Sequence, residues 1–317
     1  MKPVIAIDLG GTAIKAGLVH GTEVLVDASI AANAPAGLGP QLPRLEAFLR
    51  ELCQKGGVTP ETCAGIGMAV PFLVDPVANR IRSAPPNKYG DAASLDLPAW
   101  AQQQFGLSLK LENDAHAACL GEWRHGAGRG SDDLVMLTLG TGIGCSVILR
   151  GRPLRGKHFQ AGVLGGHLIG NPDGASCAVC PGVGCYEAES ASLSLPRLAK
   201  ADPRFASSRL ALAPAIDFAT VFKAAAAGDD LARDLRDRCI RWWSALAVSL
   251  VHAYDPDRIV IGGAVARDAA VILPAMQAYV NRHAWIVDPV EIRAAELGNA
   301  AGTVGIASLF EHEATCI

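Results

Sequence analysis

The sequence predicts an α/β fold in two domains, and three observations lead there. Apolar runs of strand length alternate with helical patterns, several of those runs end in glycine-rich turns, and 317 residues exceed what one small core usually holds. The first run is VIAIDLG at 4–10, and a helical stripe follows at Leu42, Leu45, Phe48, Leu49 and Leu52. AGIGMAV at 64–70 is a second strand, and LVMLTLGTGIG at 134–144 and RIVIGGAVA at 258–266 repeat the strand-then-glycine punctuation. Two similar halves are expected. CIRWWSALAVSLVHAY at 239–254 reads as a buried core helix stopped by Asp255-Pro256. SAPPNKYG at 83–90 and the irregular stretch 156–177 are loops of the length that usually carries function.

Composition narrows the function. Half of the residues are hydrophobic, yet no stretch approaches the roughly 18 uninterrupted apolar residues of a membrane span. The formal net charge is −3 and the Lys and Arg residues are scattered, which leaves no electrostatic footprint for nucleic acid or anionic lipid. MKPVIAIDLGG runs straight into a strand without a signal-peptide pattern, so a cytoplasmic location is expected. The nine cysteines are mostly far apart, as reduced buried thiols are, and only Cys177, Cys180 and Cys185 cluster.

Four motifs bear chemistry. Asp8-Leu9-Gly10-Gly11-Thr12, with Lys15 close behind, ends a strand in a tight turn. Glycines there let backbone N–H groups approach phosphate oxygens, Thr12 adds a hydroxyl, and Asp8 can face a hydrated Mg²⁺. A plain hairpin turn is the alternative. The turn is neither a GxxxxGK[ST] P-loop nor a GxGxxG dinucleotide fingerprint. Gly140-Thr141-Gly142 repeats the design, and the pair suits a polyphosphate better than either turn alone. Gly262-Gly263 offers a side-chain-free surface for adenosine, or is only a strand-to-helix turn.

In LENDAHAACLGEW at 111–123, Asp114 stands where a strand gives way to a helix. It is either an N-cap, the commonest job of Asp there, or a base for a sugar hydroxyl, with Asn113 holding a second hydroxyl. Cys177-x2-Cys180-x4-Cys185 after His167 matches a closed Cys₃His set for structural Zn²⁺, a redox pair at Cys177 and Cys180 being the alternative. His158, in the irregular stretch, is the other histidine of interest.

DLGGT, ENDAHAACLGE, LGTGIG, GGH followed by CAVCPGVGCYE, and IVIGGAVA occur in one order across nearly the whole chain. In that order they resemble the ROK family, named for repressors, open reading frames and kinases, which includes bacterial glucokinases, fructokinases and N-acylhexosamine kinases. The resemblance implies an actin-like ATPase fold of the hexokinase type, with two lobes hinged about a nucleotide cleft, and a homodimer. It implies an N-terminal lobe of residues 1–115 completed by a C-terminal helix within 300–317, and a second lobe of 116–299 with the zinc motif and the adenosine site. The implied reaction is ATP-dependent, Mg²⁺-requiring phosphorylation of a hydroxyl on a hexose or hexose derivative.

Carried across residue by residue, the resemblance makes Asp114 the base and Asn113 a sugar partner. Glu187 binds the sugar near its anomeric end, and His167 is a zinc ligand beside the sugar. Gly10, Gly11, Thr12 and the turn Gly140–Gly142 form the phosphate loops. Asn87 falls in the sugar loop. This chain departs from the pattern in several places. The usual AGE-x-GH reads AGVLGGH, so Val163 or Leu164 stands near the place of a pocket glutamate. The zinc cysteines carry one inserted residue, Phe72 replaces a glycine after Pro71, and Lys88 replaces the leucine after Asn87. A sugar-binding regulator or scaffold without kinase activity is the alternative function. Regulators of the family carry a DNA-binding domain ahead of the first motif, whereas here only seven residues precede Asp8.

Overall fold

A computed structural model describes residues 2–311. Residues 312–317, the tail of the expected C-terminal return, lie outside the described residues. The chain forms two compact units, one of Met1–Arg129, Arg155–Ala161 and Asn299–Ile317, the other of Gly130–Leu154 and Gly162–Gly298.

The first unit is built on β1 (Val4–Leu9), β2 (Ala13–His20), β3 (Glu23–Ala31), β4 (Ile66–Val70) and, after a small hairpin of β5 (Leu73–Asp75) and β6 (Arg80–Ser83), β7 (Leu109–Asn113). The five-stranded sheet runs β3-β2-β1-β4-β7, with β1–β2 and β2–β3 antiparallel and β1–β4 and β4–β7 parallel. Central strands β1 and β4 are buried on both faces, which is why they read as unbroken apolar runs. β3, at the edge, alternates exposed with half-buried residues.

Helix α1 (Leu42–Lys55) buries Leu45, Phe48, Leu49 and Leu52, the stripe seen in the sequence. Helix α2 (Leu97–Phe105) starts where the Asp96 carboxylate accepts the Ala99 N–H and stops at Gly106 in the left-handed region. Helix α3 (Asp114–His125) continues directly from β7.

The second unit repeats this plan. Strands β8 (Leu134–Leu139), β9 (Ile143–Leu149), β10 (Arg152–Pro153), β11 (Arg258–Gly262) and β12 (Glu291–Ala294) run in the order β10-β9-β8-β11-β12. Here too the first two strands are an antiparallel hairpin, β8–β9, and the next pairs, β8–β11 and β11–β12, are parallel. Helices α4 (Tyr186–Ser190), α5 (Leu195–Ala201), α6 (Phe218–Ala226), α7 (Asp230–Tyr254) and α8 (Ala269–His283) complete it.

The expected core helix is the second half of α7. Trp243 there is fully buried and its indole N–H donates to Ser190 O at 3.1 Å. The helix ends at left-handed Asp255, before Pro256. No described helix is long and apolar enough to cross a membrane.

Helix α9 (Ala301–Ala307), followed by a 3₁₀ turn over Ser308–Phe310, returns the chain to the first unit and packs on α3. The two backbones approach so closely that a Cβ on Gly305 would lie 1.7 Å from Ala117 O. Only glycine permits that approach, and it fixes the helix that carries Asp114.

Candidate active site

In the first unit the β1–β2 hairpin sets Asp8 opposite Lys15 and turns through Gly10–Thr12, where Gly11 and Thr12 are exposed. Burial pushes the Asp8 carboxyl above the usual carboxylate range, while the charges of Lys15 and Lys88 hold it down. The carboxylate faces α9, with Oδ2 4.0 Å from where a Cβ on Gly302 would stand.

The β7–α3 junction resolves the capping question. Asn113 Oδ1 accepts the N–H groups of Ala115 and His116 at 3.0 and 3.2 Å, so Asn113 is the N-cap. The capping role weighed for Asp114 therefore belongs to its neighbour. Asn113 Nδ2 also donates to Phe72 O at 3.1 Å, which leaves one amide hydrogen for a ligand.

Asp114 is the first helical residue, and one carboxylate oxygen accepts the Ala115 N–H at 2.8 Å. Its side is open to solvent, yet it is set among dense surroundings. That crowding, more than the nearby Asp8 charge, pushes its carboxyl up to about 6, against the pull of the Ala115 N–H and of Lys88. A solvent-accessible carboxylate of that pKa is suited to taking a proton near neutral pH.

One feature around this junction escaped the sequence. Glu112 is buried and binds Arg155 through both oxygens, at 3.0 and 2.6 Å, while also accepting the Asn113 N–H at 2.8 Å. This pair ties residues 155–161 to the first unit. Within that segment His158 is exposed, as is Asn87 in the 83–90 loop. Burial holds the pKa of His116 down to about 4, so it stays a neutral core residue.

In the second unit Gly140–Gly142 joins β8 to β9. Glu187, from α4, is buried, and its Oε2 accepts the Ile143 N–H at 2.8 Å. A Cβ on Gly142 would stand 2.5 Å from that oxygen, so glycine is required there for Glu187 to dock. Glu187 Oε1 lies 4.0 Å from Cys177 Sγ, which links the glycine turn to the cysteine cluster. Gly263 takes φ +85, and a Cβ there would meet Leu139 O at 2.4 Å, so the third glycine turn lies against the end of β8.

His167, Cys177, Cys180 and Cys185 come together, their ligand atoms all within 4.8 Å of one another. His167 Nδ1 is 3.9 Å from Cys185 Sγ, close to the edge of a tetrahedron with metal–sulfur bonds of about 2.3 Å. Backbone N–H groups of Val179, Cys180, Gly182 and Ala188 point at the three sulfurs at 3.4–3.5 Å. The inserted residue between Cys177 and Cys180 is thus accommodated without scattering the donors. Val163 is half-buried and Leu164 exposed, and neither offers a hydrogen-bonding group where the family pattern has a glutamate.

Residues 4–313 match the model of the ROK family. The chain belongs to the ROK family. It is similar to the glucokinase of Thermotoga maritima, at 30% identity over 98% of this chain and 97% of that one. Among solved ROK structures, the glucokinase from Streptomyces griseus in complex with glucose and AMPPNP aligns with TM-score 0.80 and 30% identity, covering 97% of this chain and 98% of that one. The ROK hexokinase from Thermus thermophilus aligns with TM-score 0.78 and 33% identity, covering 96% of each. The fold is accordingly the actin-like ATPase fold expected from the motifs.

Proposed function

We propose that this ROK protein is a sugar kinase that transfers the γ-phosphoryl group of ATP to a hydroxyl of a hexose or hexose derivative, with Asp114 as general base. Full-length similarity to glucokinases, one of them solved with glucose and an ATP analogue, supports the reaction class. The observation that carries the role of Asp114 is the division of labour at the start of α3. Asn113 caps the helix, so the neighbouring carboxylate, with its pKa near 6, is available for proton transfer.

In this reading the sugar hydroxyl gives its proton to Asp114 as its oxygen attacks the γ-phosphorus and the bond to the β-phosphate oxygen breaks. Asn87, Asn113, His158, His167 and Glu187 are the candidates for sugar contacts. The glycine turns at 10–12 and 140–142 take phosphates, Lys15 tunes Asp8, and Gly262-Gly263 takes adenosine. Asp8 would hold Mg²⁺ through water, and the metal supplies charge neutralisation of the triphosphate. His167, Cys177, Cys180 and Cys185 would hold one Zn²⁺, whose closed set of four protein ligands suits a structural role. A cytoplasmic homodimer completes the proposal.

A coupled ADP-release assay over a panel of free sugars tests it. Sugar-stimulated ATP turnover that requires Mg²⁺ is expected. Turnover that no sugar raises above background overturns the kinase reading.

A further inference from the structure

We propose that Lys88 is a phosphoryl-binding residue, its ammonium contacting the γ-phosphate of ATP during transfer; the inference rests on the sugar-kinase reading above. Its side chain lies over the first glycine turn. A Cβ on Gly11 would meet Lys88 Cε at 3.1 Å and Nζ at 3.6 Å, so the end of the side chain lies over bare backbone where a phosphate would be cradled. Asp8 and Asp114 both feel its charge. It therefore sits among the turn, the residue that would face Mg²⁺ and the base.

The loop carrying Lys88 is tied down by hydrogen bonds. Lys88 N–H donates to Pro85 O at 3.0 Å, and Tyr89 N–H donates to Ala34 O at 2.8 Å. The Tyr89 hydroxyl donates to Gly10 O at 2.9 Å, which ties the loop to the glycine turn itself. Phe72 packs edge-on against the Tyr89 ring, centroids 6.1 Å apart, and Asp91 accepts the Leu38 and Gly39 N–H groups at 2.6 and 2.8 Å. Tyr89 is fully buried with φ +55, a left-handed conformation that is unfavourable for a non-glycine residue. Strain kept by so many contacts sets the direction of its neighbour. Two departures from the family pattern, Phe72 and Lys88, are thereby joined through one tyrosine.

A cation at this position acts where charge spreads over the phosphoryl oxygens during transfer. Lys88 keeps its protons and donates hydrogen bonds, while the sugar proton goes to Asp114. It thus favours the transferring group over the ground-state sugar complex.

The experiment compares wild type with Lys88→Met and Lys88→Arg. Steady-state kinetics on the best sugar should show kcat for Lys88→Met reduced by roughly 10- to 100-fold with sugar KM within about threefold, and Lys88→Arg should restore much of the loss. Calorimetry with Mg²⁺ supplies a readout independent of turnover, the ratio of AMPPNP to ADP affinity. That ratio should fall by about tenfold in Lys88→Met, since only AMPPNP carries a third phosphate. An unchanged ratio overturns the proposal, and a rise in sugar KM alone moves Lys88 to the sugar. Wild-type protein that phosphorylates no sugar defeats the kinase reading, and the affinity ratio still decides Lys88.

Discussion

Replacing Arg155 by Met removes one side of the most buried ion pair at the candidate site. Glu112 is 1% exposed at its side chain, and Arg155 is 22% exposed, so the carboxylate would lose a bidentate partner with little water to replace it. Breaking a buried pair costs roughly 3–5 kcal/mol, and the partial exposure of Arg155 places this case near the lower end, about 3 kcal/mol. For a unit of this size that corresponds to a fall in Tm of roughly 6–12 °C. Glu112 would keep the Asn113 N–H as a hydrogen-bond donor but lose both guanidinium contacts, so the start of α3 should be disturbed and kcat should fall as well. Chemical and thermal unfolding of Arg155→Met, Glu112→Gln and the double variant measure the effect. The double variant should be more stable than Arg155→Met alone, because no unpaired buried charge is left. A loss below about 0.5 kcal/mol in Arg155→Met, with unchanged kcat, would refute the inference that this pair organises the junction.

Three further outcomes follow from other parts of the structure. Because Asp114 must be ionised to accept a proton and its pKa is near 6, kcat/KM should be level above that pH and fall tenfold per unit below it, which a pH–rate profile checks. Elemental analysis should find one zinc per chain, and Cys180→Ser should lose metal and thermal stability together. Gly305→Ala places a methyl group against Ala117 O, which should force α9 from α3 and cost roughly 3 kcal/mol or more by denaturant unfolding.

Much of the architecture was legible because it depends on local pattern. The buried strands β1, β4, β8 and β11 are short apolar runs, β1, β8 and β11 end in glycine turns, and the repetition of that design pointed to two similar halves, which the two sheets are. The donor cluster was legible from three close cysteines. Asn113 and Asp114 were harder, since adjacent Asn and Asp both suit an N-cap and only the backbone geometry assigns it. Glu112 offered a signal, a charge in the LKLEN strand pattern that needs a partner, but its partner lies 43 residues away. Sequence does not say which unit a loop joins, so the docking of residues 155–161 and of Lys88 over Gly11 had to come from the fold.

If Asp114 takes the sugar's proton, Asp114→Asn should abolish that step without unfolding the protein. Asparagine keeps the size of the side chain, and the cap on α3 remains with Asn113, so thermal unfolding should be nearly unchanged. Measured by coupled ADP release on the best sugar, kcat should fall by roughly 10²-fold or more while sugar binding persists. An Asp114→Asn protein with wild-type kcat would contradict the assignment of Asp114 as the base.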